Sequence, residues 1–186
     1  MKNEEKFINK LKNKDKIAYN ELYEKYTKKI SGVLSHYVRQ SEMDDAVQEV
    51  FLKIFKGIHN FKGESKLSTW IYRISVNVGK NYLKKYKNEK IQSMDLENDE
   101  KNTYFYQPIS KINVSERIIS ELNYELILKI INKLKPDEKT LIMLREIEKI
   151  SYKDIAHIMN IPIGTVKSRI FYTRKKLKNL LEKEKY

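Results

Sequence analysis

Trp70, Arg73, Asn77, Lys80 or Asn81, and Lys84 recur at three- and four-residue steps within Gly63 to Lys85, which reads GESKLSTWIYRISVNVGKNYLKK. On a helix that spacing lines them up on one face. A ring, an amide and several cations together suit an unpaired nucleic-acid strand. The ring can stack on a base, a contact worth about 1 to 3 kcal/mol, while cations meet phosphates and the amide reaches a base edge. A plainer reading fits the same periodicity: Trp70, the single tryptophan of the chain, staples the helix start into a core. Both stand on spacing alone.

A second group lies near the C-terminus, in ISYKDIAHIMNIPIGTVKSRIFYTRKKLKNLL. Ser151 is placed to cap a short helix with Ile155, Ala156 and Met159 inward, Asn160 and Ile161 make a turn, and Pro162 opens a second helix, where its missing N–H costs little. Along that helix Val166, Ile170, Thr173 and Leu177 share one side. Lys167, Ser168, Phe171, Tyr172 and Lys175 share the other, with Arg169, Arg174 and Lys176 beside them. The pattern predicts a helix-turn-helix whose second helix offers a polar face to a major groove. An ordinary helical hairpin with a basic surface is the alternative.

A third group is acidic. From Ser41, a capping candidate, Ala46, Val50, Ile54 and Ile58 form a buried stripe with Val47, Phe51 and Phe55 beside it, which leaves Asp45, Gln48 and Glu49 together on the remaining face. A docking site and a solvated face are equally compatible with it. Metal or nucleophilic chemistry finds no support, because His36, His59 and His157 lack ligand spacing and there is no cysteine or phosphate-cradling glycine loop. No catalytic residue, metal or cofactor is expected.

The elements that must position these groups are helical. A lysine-rich chain with 5 glycines and 3 prolines has little to interrupt helices. Phe7, Leu11, Ala18, Leu22, Tyr26, Ile30, Val33, Leu34 and Tyr37 continue the helical spacing at the N-terminal end, with Asp15 as a local cap, and Ser68 is placed to cap the Trp70 helix. Ile71, Ile74, Val78 and Tyr82 are its apolar stripe. Further on, Ile118, Leu122, Leu126, Ile130 and Leu134 predict a helix ending before Pro136, and Lys139 to Ile147 another. The net charge of +13 divides unevenly: residues 1–92 hold 20 basic and 11 acidic residues, residues 93–116 hold 2 and 5, and residues 117–186 hold 16 and 9. Two basic blocks thus flank an acidic stretch containing Asp95, Glu97, Asp99, Glu100 and the helix breaker Pro108. Fold class is therefore all-α: two small helical domains, 1–92 and 117–186, joined by a flexible acidic linker, 93–116. The linker would reach roughly 80 Å fully extended and about 27 Å as a relaxed coil. Such charge favours a polyanionic partner. No apolar run long enough to span a membrane and no secretory-type N-terminus is visible, so a cytoplasmic location without membrane insertion is expected.

Taken in order, DDAVQEVFLKIF, TWIYRISVNVGKNYL, the acidic stretch and SYKDIAHIMNIPIGTVKSRIFYTRKKL resemble the extracytoplasmic-function (ECF) sigma factors, the two-domain promoter-specificity subunits of bacterial RNA polymerase. The resemblance covers nearly the whole chain. It implies a non-enzymatic role. Asp45, Gln48 and Glu49 would dock on the clamp helices of the largest subunit of core RNA polymerase. Lys62, Gly63, Glu64 and Ser65 would cup a base flipped from the non-template strand at the minus-ten element, with Trp70, Arg73, Asn77, Lys80 and Lys84 on that strand. Thr165, Lys167, Ser168, Arg169, Phe171, Tyr172 and Arg174 would read minus-thirty-five duplex promoter DNA. An anti-sigma factor that wedges between the domains is a further implied partner. A helix-turn-helix repressor or activator acting without core polymerase is the alternative function.

Overall fold

The computed structural model describes residues 2–92, 126, 127 and 129–183. The acidic linker and the positions of Ile118 and Leu122 lie outside the described residues. Among the described residues every regular element is helical: α1 Lys2–Lys12, α2 Lys16–Leu34, α3 Met43–Gly57, α4 Leu67–Gln92, α5 Pro136–Ile142, α6 Tyr152–Met159 and α7 Ile163–Lys183. Short 3₁₀ turns at Gln40–Glu42 and Ile58–Asn60 flank α3, a π turn at Met143–Ile147 extends α5, and residues 129–132 are helical before it.

Local signals fix some of these boundaries. Asp15 accepts a 3.0 Å hydrogen bond from the Ala18 N–H to open α2, and Ser151 accepts one of 3.1 Å from the Asp154 N–H to open α6. Glu138 reaches back to the Lys135 N–H at 2.8 Å to cap α5. Two expected caps are corrected. Ser68 lies inside α4, which starts at Leu67 and whose first N–H is taken by the Glu4 carboxylate of α1 at 2.9 Å. Ser41 sits in the 3₁₀ turn that precedes α3 rather than capping it. Pro162 stands one residue before α7 and accepts from the Val166 N–H at 3.1 Å.

The N-terminal domain wraps α1, α2 and α3 around α4, with Leu22, Ile30, Val50, Ile54, Ile71 and Val78 fully buried. At the tightest crossing Gly79 meets the buried ring of Tyr37. A Cβ there would stand 2.8 Å from Cβ, Cγ and Cδ2 of Tyr37. Gly79→Ala gains about 1 kcal/mol of helix propensity, but overpacking beside a ring that cannot swing away costs roughly 1 to 3 kcal/mol. A lower urea midpoint is expected for this variant.

The C-terminal domain packs α5, α6 and α7 on each other through Leu141, Leu144, Ile155, Ile158, Val166 and Ile170, all buried. The two domains also share a seam along α4. Tyr72 and Val76, both buried, and the half-buried Lys80 follow one another a turn apart on a second side of that helix, and α6 lies against it. The Tyr72 hydroxyl donates to Glu148 Oε2 at 2.6 Å, and the same oxygen holds Lys29 Nζ at 2.6 Å. Tyr37 donates to Asp137 at 3.0 Å, His36 Nδ1 lies 3.0 Å from Thr140 Oγ1, and Lys80 Nζ lies 3.4 Å from the Met159 carbonyl. The sequence showed only one stripe on α4. The other, made of Tyr72, Val76 and Lys80, carries too little apolar character to stand out.

Candidate nucleic-acid interface

The Trp70 face begins with a loop that leaves the buried ring of Phe61. Lys62, Gly63 and Glu64 are exposed and Ser65 half-buried, and Gly63 takes φ +75°, a left-handed conformation that glycine adopts without strain. Trp70 is partly exposed. Its ring tilts against Phe61 with centroids 5.1 Å apart and lies over Gly57, where an added Cβ would be 3.1 Å from it. The staple and an accessible ring thus coexist in one side chain. Arg73, Asn77 and Lys84 are exposed further along α4, whereas Lys80 is half-buried against α6. A groove between α4 and the helix-turn-helix is lined by Arg73, Lys153, His157, Asn160 and Pro162, so its mouth is basic.

In the C-terminal domain Asn160 closes α6 in the left-handed region at φ 55°, which produces the turn that aims α7. Val166, Ile170 and Thr173 are buried. Lys167, Ser168, Arg169, Phe171 and Tyr172 point to solvent, and Thr165 is half-buried. Phe171 is 63% exposed and Tyr172 66%, with their rings edge to face at 5.4 Å, so two large aromatic surfaces face outward. Ser168 Oγ donates to the Thr165 carbonyl at 3.1 Å. Arg174 is held by Glu146 on the π turn, and Arg169 lies 3.9 Å from Asp137. Both arginines must exchange a carboxylate before they can serve a phosphate.

On α3 the acidic group stands together, with Asp45 and Gln48 exposed and Glu49 half-buried 3.4 Å from Lys53. Sequence reasoning missed its apolar neighbours. Leu52 is 56% exposed and Phe55, expected beside the core stripe, is 45% exposed. Phe55 lies against Tyr19 at 5.2 Å and Phe51 against Tyr23 at 4.8 Å, a ledge of rings between α2 and α3. The signal was present in the sequence, since Leu52 and Phe55 follow Gln48 and Glu49 at helical spacing.

Residues 22–89 match the sigma-70 region 2 family and residues 124–177 the sigma-70 region 4 family. The ECF RNA polymerase sigma-E factor of Haemophilus influenzae is 40% identical over 179 residues, which cover 94% of this chain and 93% of that protein. The Escherichia coli K12 sigma-E factor is 32% identical, covering 94% and 92%. Among solved structures, the sigma factor RpoE in complex with the anti-sigma factor NepR from Bartonella quintana gives a TM-score of 0.70 at 22% identity, covering 88% of this chain and 96% of that one. CnrH in complex with the cytosolic domain of CnrY gives 0.65 at 17% identity, covering 96% and 97%. Those two share the fold. With both family regions in order and sigma-E relatives aligned nearly end to end, the chain belongs to the extracytoplasmic-function sigma factors of bacterial RNA polymerase.

Proposed function

We propose that residues 1–92 act as region 2, residues 117–186 as region 4 and residues 93–116 as the tether between them. Asp45, Gln48 and Glu49 dock on the clamp helices of core polymerase, with Leu52 and Phe55 supplying the apolar part of that contact. The loop Lys62 to Ser65, together with Trp70, Arg73, Asn77, Lys80 and Lys84, holds the unpaired non-template strand at the minus-ten element. Thr165, Lys167, Ser168, Arg169, Phe171, Tyr172 and Arg174 read the minus-thirty-five duplex. Opening is driven because a flipped base gains a site it lacks in the duplex, so the melted state is bound more tightly than the closed one. The protein then acts by binding alone, without a catalytic step of its own, in the cytoplasm where the polymerase works. No described helix is long and apolar enough to cross a membrane. An anti-sigma protein is a further partner, as NepR is for the RpoE of the same fold.

The single observation that carries this reading is the pairing, on one chain, of an exposed recognition helix bearing Lys167, Ser168, Phe171 and Tyr172 with a separate line on α4 of a partly exposed ring, an exposed amide and cations. One suits duplex and the other suits single strand. Run-off transcription with core polymerase separates them. Trp70→Leu keeps apolar contact with Phe61 but loses the stacking surface. It should leave closed-complex binding within about twofold and lower opening by roughly 5- to 150-fold, the equivalent of one lost base stack. Lys167→Ala should weaken duplex binding about tenfold and spare opening on pre-melted template. Failure to initiate on any matched promoter, together with tight binding of the chain alone to palindromic duplex, would establish the repressor alternative instead.

A further inference from the structure

The loop Lys62 to Lys66 is anchored at both ends by the same helix. Lys12 Nζ of α1 donates to the Phe61 carbonyl at 2.9 Å, immediately before the loop, and Glu4 Oε1 accepts from the Leu67 N–H at 2.9 Å, immediately after it. Between those anchors, among the described residues, the hydrogen bonds that involve the loop are local: Ser65 Oγ to the Lys66 carbonyl at 3.4 Å and the Trp70 N–H to that same carbonyl at 3.1 Å. Glu4 and Lys12 are eight residues apart on α1, about 12 Å along its axis. The six steps from Phe61 to Leu67 could span roughly 20 Å if extended. Between the two anchors the chain exposes Lys62, Gly63 and Glu64. Gly63, in the left-handed region, is where it turns.

The anchoring helix is itself fixed. Leu11 is fully buried, Phe7 and Ile8 pack on the core, and the Tyr19 hydroxyl donates to the Leu11 carbonyl at 3.1 Å. The match to sigma-70 region 2 begins at residue 22, so α1 lies outside it. Glu4 does more than brace the backbone, because its carboxylate occupies the N-cap role at α4 that no local serine fills, and a negative charge there opposes the positive end of the helix dipole. Lys12 and Glu4 thus set where the loop leaves the 3₁₀ turn and where it enters the Trp70 helix.

We propose that α1 is the positioning element of the base-reading loop: Lys12 and Glu4 hold its two ends in register with Trp70, so that Lys62 to Ser65 form a cup before the unpaired base arrives. The inference rests on the assignment of that loop to the flipped base. Preorganisation of this kind favours one base over another, because a loose cup adapts to every base at similar cost.

The test uses holoenzyme assembled from the full chain and forked promoter templates carrying each of the four bases at the flipped position. Lys12→Met, Glu4→Ala and the double variant should lower the ratio between the best and worst base by about three- to tenfold, as expected for one or two lost hydrogen bonds. Association with core polymerase and binding to minus-thirty-five duplex should stay as in the parent. Glu4→Gln, which retains the acceptor, should restore most of the ratio. Loop variants Glu64→Ala and Ser65→Ala provide the control. If they change base preference and the α1 variants, folded by melting temperature, do not, the positioning role is wrong while the loop assignment survives. If the loop variants leave base preference untouched, the loop assignment falls and the positioning role with it. A uniform loss of polymerase association in the α1 variants, in proportion to lost stability and not rescued by Glu4→Gln, would reduce α1 to a structural brace.

Discussion

Locking the two domains together across their seam should abolish promoter-dependent transcription, by on the order of 100-fold or more, and a reductant should restore it. The chain has no cysteine, so an introduced pair can react only with itself. Gly32 on α2 and Met143 on the π turn are well placed: a Cβ at position 32 would lie 3.8 Å from Met143 Sδ, with room for a side chain. The Gly32→Cys, Met143→Cys chain, closed by a short thiol-cleavable crosslinker, keeps α6 packed against α4. Packed helices lie about 8 to 10 Å apart, whereas two promoter elements about two duplex turns apart are separated by roughly 65 Å. One closed body cannot meet both. The linker, at roughly 80 Å extended, can span that distance once the seam parts. When geometry forbids simultaneous engagement, a two-site binder loses the whole gain of linking its sites, about 100- to 10,000-fold. The lock uses none of Asp45, Gln48 and Glu49, which stand on α3 with Asp45 and Gln48 exposed, so association with core polymerase should persist in the crosslinked chain. Equal transcription from locked and reduced protein would show that the packed arrangement is the working one.

The recognition helix was legible in the sequence and the seam was not, for a physical reason. Val166, Ile170 and Thr173 bury on one side of α7 while Lys167, Ser168, Phe171 and Tyr172 face solvent, so a single 3.6-residue period describes the helix completely. Helix α4 buries two sides. Ile71 and Val78 follow the expected stripe, but Tyr72, Val76 and the half-buried Lys80 form a second one in which a phenol and an ammonium flank a single aliphatic group. What covers that side lies far along the chain, in Glu148 and Met159, and no local pattern points to it. The caps divide along the same line. Asp15 and Ser151 bond three residues onward and could be read directly, whereas α4 is capped by Glu4 from 63 residues away.

The site residues show the same limit. Periodicity placed Trp70, Arg73, Asn77 and Lys84 on an accessible face, where they are, and could not foresee that Lys80 turns toward the Met159 carbonyl. It assigned Phe55 to the core flank because an aromatic beside a buried stripe ordinarily packs inward. The rings of Tyr19 and Phe55 meet at the surface instead, where stacking on each other covers only part of each.

Acid should weaken the closed chain through His36. The ring is buried in the seam, 3% exposed, with Nδ1 3.0 Å from Thr140 Oγ1 of the other domain. Burial and then the charge of neighbouring Lys139 push the imidazole from its ordinary 6.5 down to about 3. Lys139 is itself buried and its own ammonium is disfavoured by desolvation. Asp137, the carboxylate on the same turn, is engaged by the Tyr37 hydroxyl. The direction follows from proton counting. Between about 6.5 and 3 the unfolded chain binds a proton at His36 that the closed chain does not, so stability is complete above 6.5 and falls as pH drops through that window. The slope is roughly 1.4 kcal/mol per pH unit, or about 2 kcal/mol lost by pH 5. Carboxylates elsewhere also titrate in acid, so the informative quantity is the difference between parent and His36→Gln, which keeps a hydrogen-bonding group beside Thr140 and removes the titration. The urea midpoint of the parent should drop between pH 7 and pH 5 while the variant's stays nearly level, and parallel slopes would place the acid sensitivity in other groups. Because Thr140 belongs to the opposite domain, the proton that costs stability also acts on the seam, and a donor–acceptor dye pair on α2 and α7 should report wider separation in the parent at pH 5 than in His36→Gln.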